Sequence, residues 1–211
     1  MIMKSNLTVI EHPLVTKDIS VIRNINTQQE EFRNAVSRIS TIMAARIMET
    51  ALLNKITVAT PLELTDGYEL KEEIILVPIL RAGLGMVNGF LSLLPSARVG
   101  HVGIQRNENT LEPQVYYSKS PVNLPNALVI LLDPMLATGG SASSALSYLK
   151  SKGAVNFRFA CLVASPEGVK TISEAHPDVP IYAAALDRCL NERGYILPGL
   201  GDAGDRTFGT L

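Results

Sequence analysis

Hydrophobic and polar positions divide this chain into alternating strands and helices. Phe32, Val36, Ile39, Met43 and Ile47 recur every three or four residues and predict one long helix over residues 28–54. Thr27 is its expected N-cap, with Glu30 three residues on as the capping-box partner. Residues 56–70 read as a strand pair turning around Thr65-Asp-Gly67. Two runs are apolar without alternation, Glu73-Ile-Ile-Leu-Val-Pro-Ile79 and Ala127-Leu-Val-Ile-Leu-Leu132. Such runs are the mark of strands buried on both faces, as in parallel sheets. Further strands are expected at residues 98–106, 113–119, 157–164 and 181–186. Helices are expected from Gly85 to about Leu94, over 142–152 and over 167–175, and the tail from Asn191 is glycine-rich and aperiodic.

That order predicts a single α/β domain with a mainly parallel sheet, whose ligands belong at the carboxyl ends of its strands. Composition narrows the field. With 211 residues, 46% hydrophobic and 18% charged, the chain can build a full core. A net charge of −1 supplies no basic field for nucleic acid. The opening Met-Ile-Met-Lys-Ser-Asn is not a signal peptide, and no run of about 18 apolar residues spans a bilayer, so a cytoplasmic protein with no membrane partner is expected. Cys161 lies inside an apolar run and Cys189 stands alone, so neither a disulfide framework nor a metal motif is suggested. His12, His101 and His176 are isolated and read as structural.

Candidate chemistry gathers where strands end. Asp133-Pro-Met-Leu-Ala-Thr-Gly-Gly-Ser141 joins a buried strand to a helix. Glycines let the backbone approach an anion, and the N–H groups of a helix start face it unpaired. Thr138 and Ser141 add hydroxyls, and Asp133 can meet ribose hydroxyls or a metal's water shell. Thr-Gly-Gly-Ser alone also suits an ordinary tight turn; its flanks favour the cradle. No nucleoside-triphosphate P-loop occurs. Ile79-Leu-Arg-Ala-Gly-Leu-Gly85 repeats the strand–turn–helix layout, and Arg81 suits a phosphate or pyrophosphate, or a surface salt bridge. The polar stretch 106–114, with Arg106 at its base, reads as a closing hairpin or an ordinary exposed loop. Gly199, Gly201 and Gly204 match Gly-x-Gly-x-x-Gly. Too few residues follow for a dinucleotide fold, so the tail is expected to offer backbone groups to a small planar ligand, with no helix of its own.

Taken together, Val77-Pro-Ile-Leu-Arg-Ala-Gly-Leu-Gly-Met86, residues 133–141 and Gly194-Tyr-Ile-Leu-Pro-Gly-Leu-Gly-Asp-Ala-Gly-Asp205 resemble the uracil phosphoribosyltransferases, nearly end to end. The resemblance implies a type I phosphoribosyltransferase fold with an N-terminal helical arm and a C-terminal base-binding hood over residues 191–211. It implies transfer of ribose 5-phosphate from phosphoribosyl pyrophosphate (PRPP) to uracil, giving UMP. By motif, Ala137, Thr138, Gly139, Gly140 and Ser141 would hold the 5′-phosphate within a PRPP site that also includes Pro134, Met135 and Leu136. Asp133 and Asp202 would face the ribose, and Arg81 and Arg106 the pyrophosphate. Ile196, Gly201, Asp202 and Ala203 would receive uracil, with Asp202 a candidate acceptor for its N1 proton. Pro134 stands where related families carry a second acid, so Mg²⁺ is expected to arrive on PRPP. A homo-oligomer and a GTP effector also come with the resemblance. A nucleotide- and RNA-binding regulator on the same fold would need a basic face, which net charge −1 argues against. A transferase for another base would lack this tail.

Overall fold

The structure is a computed structural model and describes residues 6–106 and 113–210. The chain opens with β1 (Leu7–Val9), α1 (Pro13–Arg23) and α2 (Gln29–Met48). A hairpin follows, β2 (Leu53–Ala59) with β3 (Leu64–Leu70), then β4 (Glu73–Leu80) and α3 (Leu84–Leu93). Next come β5 (Arg98–Val99), β6 (His101–Arg106), β7 (Pro113–Lys119), β8 (Ala127–Leu132), β9 (Met135–Leu136) and α4 (Gly140–Ser151). The chain continues through β10 (Asn156–Ala164), α5 (Pro166–Ala175) and β11 (Ile181–Leu186). It finishes with β12 (Cys189–Leu190), β13 (Ile196–Leu197) and α6 (Ala203–Phe208).

One nine-stranded sheet carries the fold in the order β1-β11-β10-β8-β4-β6-β7, with β5 beside β4 and β9 beside β10. Every pairing in it is parallel except β6 with β7. The unbroken apolar run of β8 is explained by the two layers that cover it. Leu128, Ile130 and Leu132 join the core made with α1, α2 and α3, while Ala127, Val129 and Leu131 join the core made with α4 and α5. Successive side chains of a strand point to opposite faces, so a strand with two covered faces has no polar position. Among the described residues no helix is long and apolar enough to cross a membrane.

Several expectations need correction. The long helix stops at Met48, and residues 53–59 leave it as β2. Thr27 is not its cap, because the Thr27 hydroxyl donates to the Val21 carbonyl at 2.7 Å; Gln28 precedes the helix without a side-chain cap. The hairpin turns at residues 60–63, where the Thr60 hydroxyl oxygen accepts the N–H groups of Leu62 and Glu63, and not around Gly67. Gly67 instead faces Ile56 in mid-strand, where a side chain would overlap Val58. The strand expected over 98–106 breaks at Gly100, whose N–H is taken by the Leu76 carbonyl. β1 and α1 were not anticipated, nor was α6, which overturns the expectation of a tail without a helix. α1 and α2 form the expected N-terminal helical segment, with their apolar faces packed on the sheet. Two short hairpin sheets lie off the main one, β12 with β13 and β2 with β3, the latter with Leu53, Leu64 and Tyr68 exposed.

α2 and α3 approach closely because Gly89 sits at their crossing. A Cβ there would overlap the Ser37 carbonyl oxygen and crowd Ser40. Glycine in a helix is about 1 kcal/mol worse than alanine, so Gly89→Ala would stabilise an ordinary helix. Here it should destabilise by about 1–3 kcal/mol, read from the urea midpoint. A raised midpoint would show that this contact yields freely.

Candidate active site

The carboxyl ends of the central strands set the site. β4 and β8 run in register with Pro78 opposite Leu132, so the turn bearing Arg81 and the loop opening with Asp133 leave the sheet side by side. β6 adds Arg106 at the same end, since Leu80 of β4 lies opposite Gly103. The tip of the following hairpin, residues 107–112, and the Arg106 side chain lie outside the described residues, so the expected closing hairpin is not examined by the structure.

The loop after β8 makes a cavity of about 150 Å³, lined by Asp133, residues 135–142 and Gly194. Gly139 precedes α4 at φ 82°, a conformation open to glycine, and no side chain caps the helix. The first-turn N–H groups of α4 therefore have no intrahelical acceptor and line an anion-sized hollow. α5 supports the loop from behind. The Ser165 hydroxyl donates to the Ala137 carbonyl at 2.6 Å and accepts the Gly168 N–H at 2.9 Å, while the Ser165 N–H holds the Leu136 carbonyl at 2.9 Å. These bonds turn the loop carbonyls away from the hollow. Ser165, fully buried, is a residue the sequence reading passed over; its signal was an N-cap serine followed by Pro166.

A second cavity, of about 230 Å³, adjoins the first. Ala82, Tyr195, Ile196, Gly201, Asp202, Ala203 and Gly204 line it, together with Asp133, Met135, Ala137 and Gly194, which the two cavities share. The residues singled out from the loop and from the tail thus meet around Asp133. Among the described side chains singled out from the sequence, two do not line either hollow. Pro134 is buried with its carbonyl taken by the N–H groups of Leu162 and Val163, and Arg81 stands at the rim. The Arg81 side chain is 59% exposed and its nearest acid is Asp205, at 3.4 Å, so it is neither buried nor tightly held. Asp202 caps α6 by accepting the Asp205 N–H at 2.9 Å.

Charge in the site is sparse. Burial pushes the half-buried Asp133 carboxyl up to about 7, against the lowering effect of the Met135 N–H at 3.5 Å. Burial first, and the Asp133 charge second, hold the Cys161 thiol protonated, so Cys161 is inert core. His176 is also structural: it is buried, its Nε2 lies 3.1 Å from the Ser143 hydroxyl, and burial lowers its pKa. Among the described residues no three His, Cys, Asp or Glu side chains stand together as a metal cage.

Solved phosphoribosyltransferase structures share the fold that carries these two joined cavities. A hypoxanthine phosphoribosyltransferase from Staphylococcus aureus superposes with a TM-score of 0.52 at 13% identity, over 73% of each chain, which establishes the fold alone. A solved structure from Aquifex aeolicus matches at a TM-score of 0.90 with 38% identity, over 96% of this chain and 97% of that one. The family model described as uracil phosphoribosyltransferase matches residues 9–210, and the chain belongs to that family. Among its curated relatives, the uracil phosphoribosyltransferase of Salinibacter ruber is 52% identical over 97% of this chain and 98% of its own. That of Listeria innocua is 53% identical over 98% and 99%.

The Asp133 shift has a sign that can be checked. A carboxyl raised on folding contributes stability below its ordinary range, and that contribution is lost as pH rises through about 7. Asp133→Asn removes the charge, so the ligand-free variant should melt above the wild type at about pH 8, with the difference narrowing below about pH 7 and closing only near about pH 4, the ordinary aspartate value. Parallel melting curves across that range would contradict the assignment.

Proposed function

We propose that this enzyme transfers 5-phosphoribose from PRPP to N1 of uracil, releasing UMP and pyrophosphate. The observation that carries the reading is the pair of joined cavities sharing Asp133, Met135, Ala137 and Gly194. One hollow suits a phosphate and the other a single planar ring. The ribose would then bridge them beside Asp133.

In this reading residues 137–141 hold the 5′-phosphate through backbone N–H groups and the hydroxyls of Thr138 and Ser141. Met135 and Leu136 shape the wall, and Pro134 acts only by fixing the backbone. Asp133 accepts from the ribose hydroxyls. Arg81, exposed at the rim, is free to turn from Asp205 to the pyrophosphate, and Arg106 would meet it from the neighbouring strand end. PRPP would enter as its Mg²⁺ complex, with Pro134 standing where a second acid would otherwise be, so the metal is part of the substrate. As the C1–O bond breaks, positive charge grows on the ribose ring and negative charge on the leaving group. The arginines stabilise that developing anion by preorganised electrostatics, and uracil N1 attacks from the opposite face with inversion.

Uracil presents two acceptors flanking the N3–H donor, and cytosine reverses two of these positions. Backbone groups at Ile196 and Gly201 that satisfy uracil would leave cytosine unpaired, which can reduce reaction by orders of magnitude. A homo-oligomer is supported by the exposed apolar side chains of β2–β3, and GTP is a candidate effector; sedimentation and a GTP titration read these two expectations.

Purified protein with Mg²⁺ and PRPP should form UMP from uracil, and little or no nucleotide from cytosine, hypoxanthine or orotate. Product from hypoxanthine or orotate without product from uracil would overturn the reading. Asp202→Asn isolates the proton-transfer role, because asparagine caps a helix about as well as aspartate. The expected result is a fall in kcat of about 10²-fold with PRPP binding intact; unchanged turnover would remove that role.

A further inference from the structure

The loop that lines the base cavity is hung from an ion pair outside that cavity, its carboxylate buried and its Arg23 side chain 24% exposed. Asp187, just beyond β11, is 7% exposed. Its two oxygens receive Arg23 Nη1 at 2.8 Å and Nη2 at 2.5 Å. The same pair takes both polar groups of Gly199. The Gly199 N–H donates to Asp187 Oδ2 at 2.8 Å, and Arg23 Nη1 donates to the Gly199 carbonyl at 2.8 Å. Gly199 itself sits at φ 63°, folded so tightly that a Cβ would overlap the Ile196 carbonyl oxygen. Fixing the Gly199 peptide therefore fixes where Ile196 and Gly201 present their backbone.

A buried ion pair is not in itself a source of stability, since desolvation offsets much of its attraction. This one is bound to a peptide three residues from Ile196 and two from Gly201, and neither Arg23 nor Asp187 lines the cavity. Arg206 adds to the suspension, donating to the Leu200 carbonyl at 2.8 Å and to the Asn24 carbonyl, next to Arg23, at 2.7 Å. We propose that Arg23 and Asp187 are positioning residues for base selection, holding the Gly199 peptide so that the backbone at Ile196 and Gly201 matches uracil. The inference rests on the proposed reaction with uracil.

Two variants test it. Arg23→Lys keeps a positive charge opposite Asp187, yet one ammonium cannot span both carboxylate oxygens and the Gly199 carbonyl. The double variant Arg23→Met/Asp187→Leu removes both charges and leaves no buried ion unpaired. In each, the KM for uracil should rise about tenfold or more, from the loss of charge-assisted bonds to the loop, while the KM for PRPP stays within about twofold. The uracil-to-cytosine ratio of kcat/KM should fall with it. A cooperative melt within about 5 °C of the wild type shows that the fold is retained. Folded variants with wild-type uracil KM and selectivity would overturn the proposal, as would equal rises in both KM values. Loss of folding in both variants would assign the pair to stability and overturn it as well. If the wild type forms no UMP, the proposed reaction fails; if it does and the variants match it, only the positioning role fails.

Discussion

A strand covered on both faces has no freedom in register, and that constraint on β8 holds the rest of the molecule in place. Sliding β8 by one residue would exchange Leu128, Ile130 and Leu132 for Ala127, Val129 and Leu131 across two different cores. Its carboxyl end is therefore a fixed point, and Asp133 and the loop to α4 begin there. β4, locked to β8 by parallel register, delivers Arg81 beside it. The sheet is the rigid part, and the chemistry is carried by short loops whose backbone polar groups are aimed by their attachment to it.

The sheet and the strand–loop–helix turn at residues 133–141 were legible in the sequence because their signals are local. An apolar hexamer followed by acid, glycines and a small-residue helix carries its own explanation. The hairpin was misplaced because two turn signals compete there: Asp66-Gly67 is the stronger dipeptide, but Thr60 closes the turn with its own hydroxyl. α1 was overlooked although Val15, Ile19 and Ile22 are buried at helical spacing; five of its eleven residues are β-branched, which blurs the helical reading. Its buried Asp18 makes sense only once Arg38 of α2 is set against it at 2.8 Å, which lowers the carboxyl pKa. α6 is only six residues, too short for periodicity, and its legible mark was Asp202 as a cap.

What no local pattern could reveal is the support of the tail loop around Gly199. Arg23 and Asp187 are separated by 164 positions, as are Ser165 and Ala137 by 28. Each looks like an ordinary surface or capping residue until the sheet brings its partner near. The two supports also share a logic. Ser165 occupies the loop carbonyl that would repel an anion, and Arg23 with Asp187 occupies the peptide that closes the base loop. In both, a side chain outside the cavity determines which backbone groups remain for a ligand.

The Arg206 contacts with Leu200 and Asn24 have a kinetic consequence. They join residues near the two ends of the chain, 182 positions apart for Asn24. Contacts of such separation are made only after the large loop between them has been closed. The hood is therefore expected to dock late, together with β1, whose pairing with β11 spans a similar separation, and to open at a free energy below that of global unfolding. Amide hydrogens of the tail would exchange through this partial opening while those of β8 wait for the whole molecule to unfold.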